Sequence, residues 1–263
     1  MSPPVGLVLV HGGQHGADCW DLTVAALRRR APHRPVLAID FPGRREVPGD
    51  LSTASIGGWV DSAIGQIGAA GLDRVVLVGH SLAGVTVPAI AARLGPDRVG
   101  RMIFLAACVP PDGSPGIEAL AGPMRWWAAR AGARGRPSTP PSRLVARLAF
   151  GNGMSREQWE FAGSRLYPES TSVPLEPVDR ADMPAGVPRS WILTLRDRAL
   201  SPRRQCRGIE ALGGVDEVVP LNTGHDAMIS APDELAEILL SRAESVDAAA
   251  GTVDRPSSEP GSR

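Results

Sequence analysis

The chain has 263 residues, 43% of them hydrophobic, enough for one α/β domain with a sizeable core and an excursion from it. Its 28 basic and 28 acidic side chains cancel, and no basic block stands out beyond Arg28-Arg29-Arg30, which argues against nucleic acid or an anionic membrane as partner. Every basic residue is arginine, which excludes a lysine Schiff base, and the three cysteines (Cys19, Cys108, Cys206) show neither CxxC nor metal-ligand spacing.

Met1-Ser2-Pro3-Pro4 runs directly into an apolar stretch with no charged n-region and no twin arginine, and no apolar run is long enough to cross a bilayer. The expected location is cytoplasmic. Strand-like runs follow at Gly6–Val10, Val36–Ile39, Val75–Val78, Arg101–Ala106, Trp191–Leu195 and Glu217–Leu221. Most are continuous apolar stretches, as expected for strands covered on both faces. Helix-like segments lie between them at Trp20–Arg30, Ile56–Ala70, Val85–Leu94 and Pro202–Ala211, and a last one at Asp233–Arg242 carries Leu235, Ile238 and Leu239 on one face. The alternation predicts an α/β fold with a mainly parallel sheet of about six strands wound with helices.

One region breaks this rhythm. Between Pro110 and Pro188 there is no convincing strand, and Pro and Gly are frequent. The chain's scarce aromatics gather there: Trp126, Trp127, Phe150, Trp159, Phe161 and Tyr167. We read residues 110–188 as a cap inserted in a core made of 1–109 and 189–243. Singly, each aromatic reads as glue between cap and core; together they suggest an apolar pocket. From about Ser245 the composition turns to Ala248–Gly251 and Pro256-Ser257-Ser258-Glu259-Pro260, so 244–263 reads as a disordered tail.

The chemistry centres on Val75–Gly84, a strand-like run leading into Gly79-His80-Ser81-Leu82-Ala83-Gly84 and then a helix. A serine on a sharp strand-to-helix turn needs small neighbours, because bulk would clash with the strained turn. The turn exposes the hydroxyl and aims backbone N–H groups and the helix dipole at any oxyanion formed there. Ser81 is therefore the expected nucleophile. Of the five histidines, His225 follows the last strand in a loop that can swing over the turn, and is the expected general base. His80 reads as structural, and His33 as exposed in a Pro-flanked loop. Asp197, after the strand Trp191–Leu195, is the expected orienting carboxylate, with Asp112 and Asp226 as competitors. The N–H groups of Leu82 and of Gly13, in the loop His11-Gly12-Gly13-Gln14-His15-Gly16, are the expected oxyanion donors. That loop lacks GxGxxG and Walker patterns, so it is not read as a phosphate cradle. Gly12, His15, Trp126, Trp127 and Trp159 are the expected substrate contacts.

These motifs resemble those of the α/β-hydrolase superfamily, and within it the plant methylesterase and hydroxynitrile lyase group with its bacterial relatives. The resemblance rests on His11 through Ala17 with Trp20, Gly79–Gly84, Phe104-Leu105 through Val109-Pro110, Asp197 through Pro202 with Gln205, and Gly224-His225 through Glu237-Ile238, across roughly Val5 to Arg242. It implies the α/β-hydrolase fold, a Ser-His-Asp triad in the chain order Ser81, Asp197, His225, a mostly helical cap after the sixth-strand equivalent, small ester substrates and no cofactor or metal. Two positions depart from the cyanogenic lyases of the group. Gly12 stands where those have threonine, and Asp226 where they have the lysine that stabilises developing cyanide, which disfavours hydroxynitrile lyase activity.

The expected function is that of a serine hydrolase of carboxylesterase type, cleaving a small, fairly apolar ester through an acyl-enzyme. The alternative is a lyase or cyclase of specialised metabolism with His225 as base, and a third reading is a non-catalytic small-molecule binding protein. The expected partner is the ester substrate, for a monomer or homodimer.

Overall fold

The structure, a computed structural model, describes residues 3–45 and 47–253, and of 123, 124 and 251–253 the backbone alone. Six strands, β1 (Gly6–Val10), β2 (Val36–Ile39), β3 (Val75–His80), β4 (Val99–Leu105), β5 (Arg189–Thr194) and β6 (Glu217–Leu221), form one sheet in the order β2-β1-β3-β4-β5-β6. Every neighbouring pair is parallel. Between them run α1 (Asp21–Arg30), α2 (Ile56–Ala69), α3 (Val87–Leu94), α7 (Pro202–Ala211), α8 (Ala227–Ser230) and α9 (Pro232–Val253).

The continuous apolar runs are explained by two cores, one on each face. Val8, Val10, Leu77 and Phe104 point to one side and pack with Trp59 and Ile67 of α2 and Ile90 of α3. Their immediate neighbours Leu7, Leu9, Val76, Val78, Ile103 and Leu105 point to the other and pack with Leu27 of α1 and Leu235 and Leu239 of α9. Because side chains alternate across a strand, both faces can be apolar only when the run is unbroken. Edge strand β6 is the contrast, with alternate residues open.

Several boundaries differ from the sequence reading, each for a local reason. β3 continues through Gly79 and His80, which pair with Phe104 and Leu105, so the strand delivers the chain to Ser81 without a break. The helix expected from Val85 begins at Val87, after a 3-10 turn at Ser81–Val85. β4 starts at Val99 and ends at Leu105, where Ala106 at φ +44° turns the chain off the sheet. β5 runs from Arg189 to Thr194.

The 110–188 segment holds three helices, α4 (Gly122–Gly132), α5 (Arg143–Ala149) and α6 (Arg156–Gly163), with 3-10 turns at Gly116–Ala119 and Val173–Leu175. Its extended pieces are limited, among the described residues, to isolated bridges such as Ser138 with Glu169. Ser155 starts α6 with a reciprocal capping box to Gln158.

The largest correction concerns the expected tail. α9 does not stop at Arg242 but runs to Val253, so 244–253 is helical. Val246 is buried in the same core as Leu239 and Ala243. Asp247 accepts a hydrogen bond from the Val5 amide at 2.8 Å and pairs with Arg34 at 2.9 Å, tying the helix to the start of β1. Apolar burial and this polar tie outweigh the weak local signal of an Ala-rich run. Residues 254–263 lie outside the described residues. Val246→Ala should destabilise the fold by about 1.5–2 kcal/mol, from two buried methyl groups at roughly 0.8 kcal/mol each, read from urea unfolding; no change would show that the helix ends earlier.

Candidate active site

Ser81 follows the last residue of β3 and sits at φ +49°, the left-handed region that a side chain makes costly. The close packing around the turn enforces that conformation. A Cβ on Gly84 would lie 2.5 Å from the Cys108 carbonyl oxygen, so the segment after β4 leaves room only for glycine there. The Cys108 amide donates to the Ser81 carbonyl at 2.7 Å, fixing the turn from below. Ala83, one of the small residues of the turn, is buried.

His225 lies in the loop between β6 and α8. Its Nε2 is 2.9 Å from Ser81 Oγ and its Nδ1 is 2.7 Å from Asp197 Oδ2. A carboxylate can only accept here, so Nδ1 carries the proton and Nε2 is free to accept from the serine hydroxyl. Asp197 is held in turn: Oδ1 accepts from the Leu200 amide at 2.7 Å, and Oδ2 from Thr194 Oγ1 at 3.0 Å and Gln205 Nε2 at 3.3 Å. Gln205 is fully buried on α7 and also binds Thr194 Oγ1 and the Leu200 carbonyl. Burial pulls the His225 pKa down, but the charges of Asp197 and Asp226 and the Asp197 hydrogen bond prevail, leaving it above its ordinary 6.5.

The two competing carboxylates lie elsewhere. Asp112 accepts from the Arg180 amide at 3.0 Å in a turn. Asp226 is buried with Oδ1 at 3.5 Å from His15 Nε2 and 3.7 Å from His80 Nε2. Burial opposes its ionisation, yet His15 foremost, with His225, holds its pKa down to about 2. His80 is structural as expected: it is buried, kept well below its ordinary pKa by desolvation, and its Nε2 donates to the His225 carbonyl at 3.2 Å. His80, His225 and Asp226 bring possible metal-ligand atoms within 4.8 Å of one another. Both ring nitrogens of His225 are already committed to Ser81 and Asp197.

The loop after β1 meets this turn from above. A Cβ on Gly12 would fall 2.8 Å from both Ser81 Cβ and His80 Nδ1, so the backbone here touches the Ser81 side chain. At Gly13 the nearest atoms would be 3.5 Å or more away, Leu82 Cδ2 first. Gly13 thus sits against Leu82, and both line the same cavity as Ser81.

An apolar cavity of about 150 Å³ opens over Ser81. Ile117, Leu120, Trp127, Phe150, Trp159 and Leu200 form much of its wall, and His15 reaches it from the loop. Two expected contacts are absent from that wall. Gly12 is packed beneath it, and Trp126 is 66% exposed on the outer side of α4. Adjacent residues on a helix point about 100° apart, so Trp126 and Trp127 cannot both face inward. Cys108 is buried and lines the cavity, with Sγ 4.0 Å from Ser81 Oγ; burial pushes its thiol up to about 12.

The sequence reading missed a buried pair, Arg44 and Glu169. Arg44 is fully buried and its Nη2 lies 2.7 Å from Glu169 Oε1. Arg44 looks like an ordinary turn arginine in Pro42-Gly43-Arg44-Arg45, and Glu169 sits in the least patterned stretch; no spacing signal joins residues so far apart in the chain.

Gly12→Ala should destabilise the protein by about 1–3 kcal/mol, because backbone and nucleophile cannot both keep their places, whereas Gly13→Ala should stay within about 0.5–1 kcal/mol. Thermal melting of the two variants checks this, and equal effects would contradict the close approach at Gly12 alone.

Comparison with known proteins agrees with this geometry. The model of the alpha/beta hydrolase family matches residues 7–238. A probable esterase from rice, PIR7A of Oryza sativa, is 42% identical over 113 residues, and a carbendazim hydrolyzing esterase from Nocardioides is 38% identical over 109. These alignments cover 40% of this chain, and 40% and 43% of the two relatives, so the chain is matched to less than half the length of either. An extracellular alpha/beta-hydrolase from a Paenibacillus species superposes with a TM-score of 0.77 at 21% identity, covering 91% of this chain and 99% of that one. The parallel sheet, the turn that presents Ser81 and the match across 7–238 make this chain a member of the alpha/beta hydrolase family.

Proposed function

We propose that this protein is a serine carboxylic-ester hydrolase. The observation that carries the reading is the unbroken relay from Ser81 Oγ to His225 Nε2 at 2.9 Å and from His225 Nδ1 to Asp197 at 2.7 Å, under an apolar cavity. In the proposed reaction His225 takes the Ser81 proton as Oγ attacks the ester carbonyl carbon. Gly13 and Leu82 N–H groups receive the tetrahedral oxyanion. The carbon–oxygen bond to the alcohol then breaks, and His225 returns the proton to the departing oxygen. Water, activated by the same imidazole, releases the acid and restores Ser81.

The cavity supports a small, fairly apolar substrate, since a space of this size holds a group on the order of benzene. The 110–188 segment supplies much of its wall and acts in this reading as a cap. Relatives named as esterases support the reaction class, and one is named for hydrolysing carbendazim, which places small aromatic esters and carbamates among the substrates to try. The ionised Asp226 supports hydrolysis over cyanide release, because a buried anion beside His225 repels a developing cyanide.

Wild type and Ser81→Ala, incubated with p-nitrophenyl acetate and butyrate and a fluorophosphonate probe, test the mechanism. We expect one adduct on the wild type, none on the variant, and a fall in kcat of about 10⁶; substantial residual turnover would refute an acyl-Ser81. The rate should fall with acidity as His225 takes up a proton, through a pKa above 6.5. Asp226→Asn removes a negative charge that favours the imidazolium, so this limb should move to lower pH. A limb that stays or moves upward would contradict the electrostatics described here.

A further inference from the structure

The loop that supplies Gly13 holds itself only in part: His11 Nδ1, at 2.8 Å, and the His15 amide, at 3.4 Å, both donate to the Gly12 carbonyl. Gly13 has looser surroundings than Gly12, and the next residue, Gln14, sits at φ +60° despite its side chain. An oxyanion donor is useful only if it is fixed before charge develops. Something outside the loop must hold it.

Glu169 is placed to do so. Its Oε2 accepts from the Gln14 amide at 2.7 Å, and its Oε1 accepts from the Ser170 amide at 2.8 Å and faces Arg44 Nη2 at 2.7 Å. Arg44 Nε then donates to the His15 carbonyl at 2.9 Å. The ion pair thus grips both sides of the Gln14–His15 peptide link. Other residues of the 110–188 segment assist: the Tyr167 amide donates to the Gln14 carbonyl at 2.8 Å, and Gln14 Nε2 donates to the Thr139 carbonyl at 3.1 Å. Glu169 is itself fixed by reciprocal amide–carbonyl bonds with Ser138, at 2.8 and 2.9 Å.

Two other roles fit less well. A buried ion pair adds little net stability compared with apolar residues of similar volume, so stability alone does not account for it. Although Glu169 lies in the cavity wall, each of its carboxylate oxygens already accepts a backbone amide and its charge is paired with Arg44, leaving little to offer a substrate.

Resting on the ester-hydrolase reading, we propose that Glu169 is a positioning residue: paired with Arg44, it locks Gln14 and so sets Gly13 for the oxyanion, making the donor loop depend on the placement of the 110–188 segment.

The test compares wild type, Glu169→Gln and Glu169→Asp on p-nitrophenyl butyrate and on a trifluoromethyl ketone that forms a tetrahedral adduct with the serine. Glutamine puts an N–H₂ against donors. Aspartate keeps the charge opposite Arg44 but draws the carboxylate back by one methylene from the Gln14 amide, so it serves even if the glutamine variant fails to fold. We expect kcat to fall about 100-fold, as for loss of one oxyanion donor, with KM within about threefold and the ketone's inhibition constant rising in step with kcat. The acidic limb set by His225 should not move. Unchanged kcat in the aspartate variant, a loss confined to KM, or a shifted limb would each overturn the assignment. Turnover by Ser81→Ala would instead overturn the hydrolase reading beneath it, whatever Glu169 does.

Discussion

The geometry of the site descends from one backbone constraint, the positive φ of Ser81 at the end of β3. The turn is held by three contacts, two of which an added side chain would break. The Cys108 segment lies against Gly84, Gly12 lies against the Ser81 side chain, and the Cys108 amide holds the Ser81 carbonyl. β3 can press the serine into that turn because it is a central strand, paired with β1 and β4 along its length. The strain is local, while the burial that opposes its release is spread over two cores.

Electrostatics form a second layer around this turn. Three buried carboxylates, Asp197, Asp226 and Glu169, surround a small apolar cavity, and each has donors or cations arranged about it. Their partners divide the work: Asp197 fixes the tautomer of His225, Asp226 joins the His15 and His80 rings across two loops, and Glu169 faces Arg44. With little water to screen them, such charges act strongly on their neighbours. The net effect on His225 is to favour its charged form despite burial, which suits a base that must carry a proton during attack.

The cavity wall comes largely from the irregular segment, not from the sheet. That division is common to folds in which a rigid scaffold holds the reacting groups while variable insertions shape the space over them. Here the two parts are linked by polar contacts as well as packing, since Tyr167, Thr139 and Glu169 all bond to Gln14 in the loop of the core.

The strand runs, the alternation with helices and the Ser81–Asp197–His225 set could all be read along the chain, because each rests on short-range chemistry: unbroken apolar stretches, small residues around a serine, and an acid and a histidine following successive strands. Strand ends at His80 and Leu105 were less legible, since pairing partners decide them. The helical run through 244–253 was hidden in an Ala-rich stretch whose reason to be ordered, Val246 against the core and Asp247 against Arg34, lies in distant segments. Likewise Trp126 and Trp127 are equivalent in composition, and only the placement of α4 turns one outward and the other to the cavity. Arg44 and Glu169 show the limit most clearly. The sequence by itself determined the fold class and pointed to Ser81, Asp197 and His225, whose signals are local; tertiary structure alone decided which buried charges meet, because a pair joined across 125 residues leaves no trace in the chain between them.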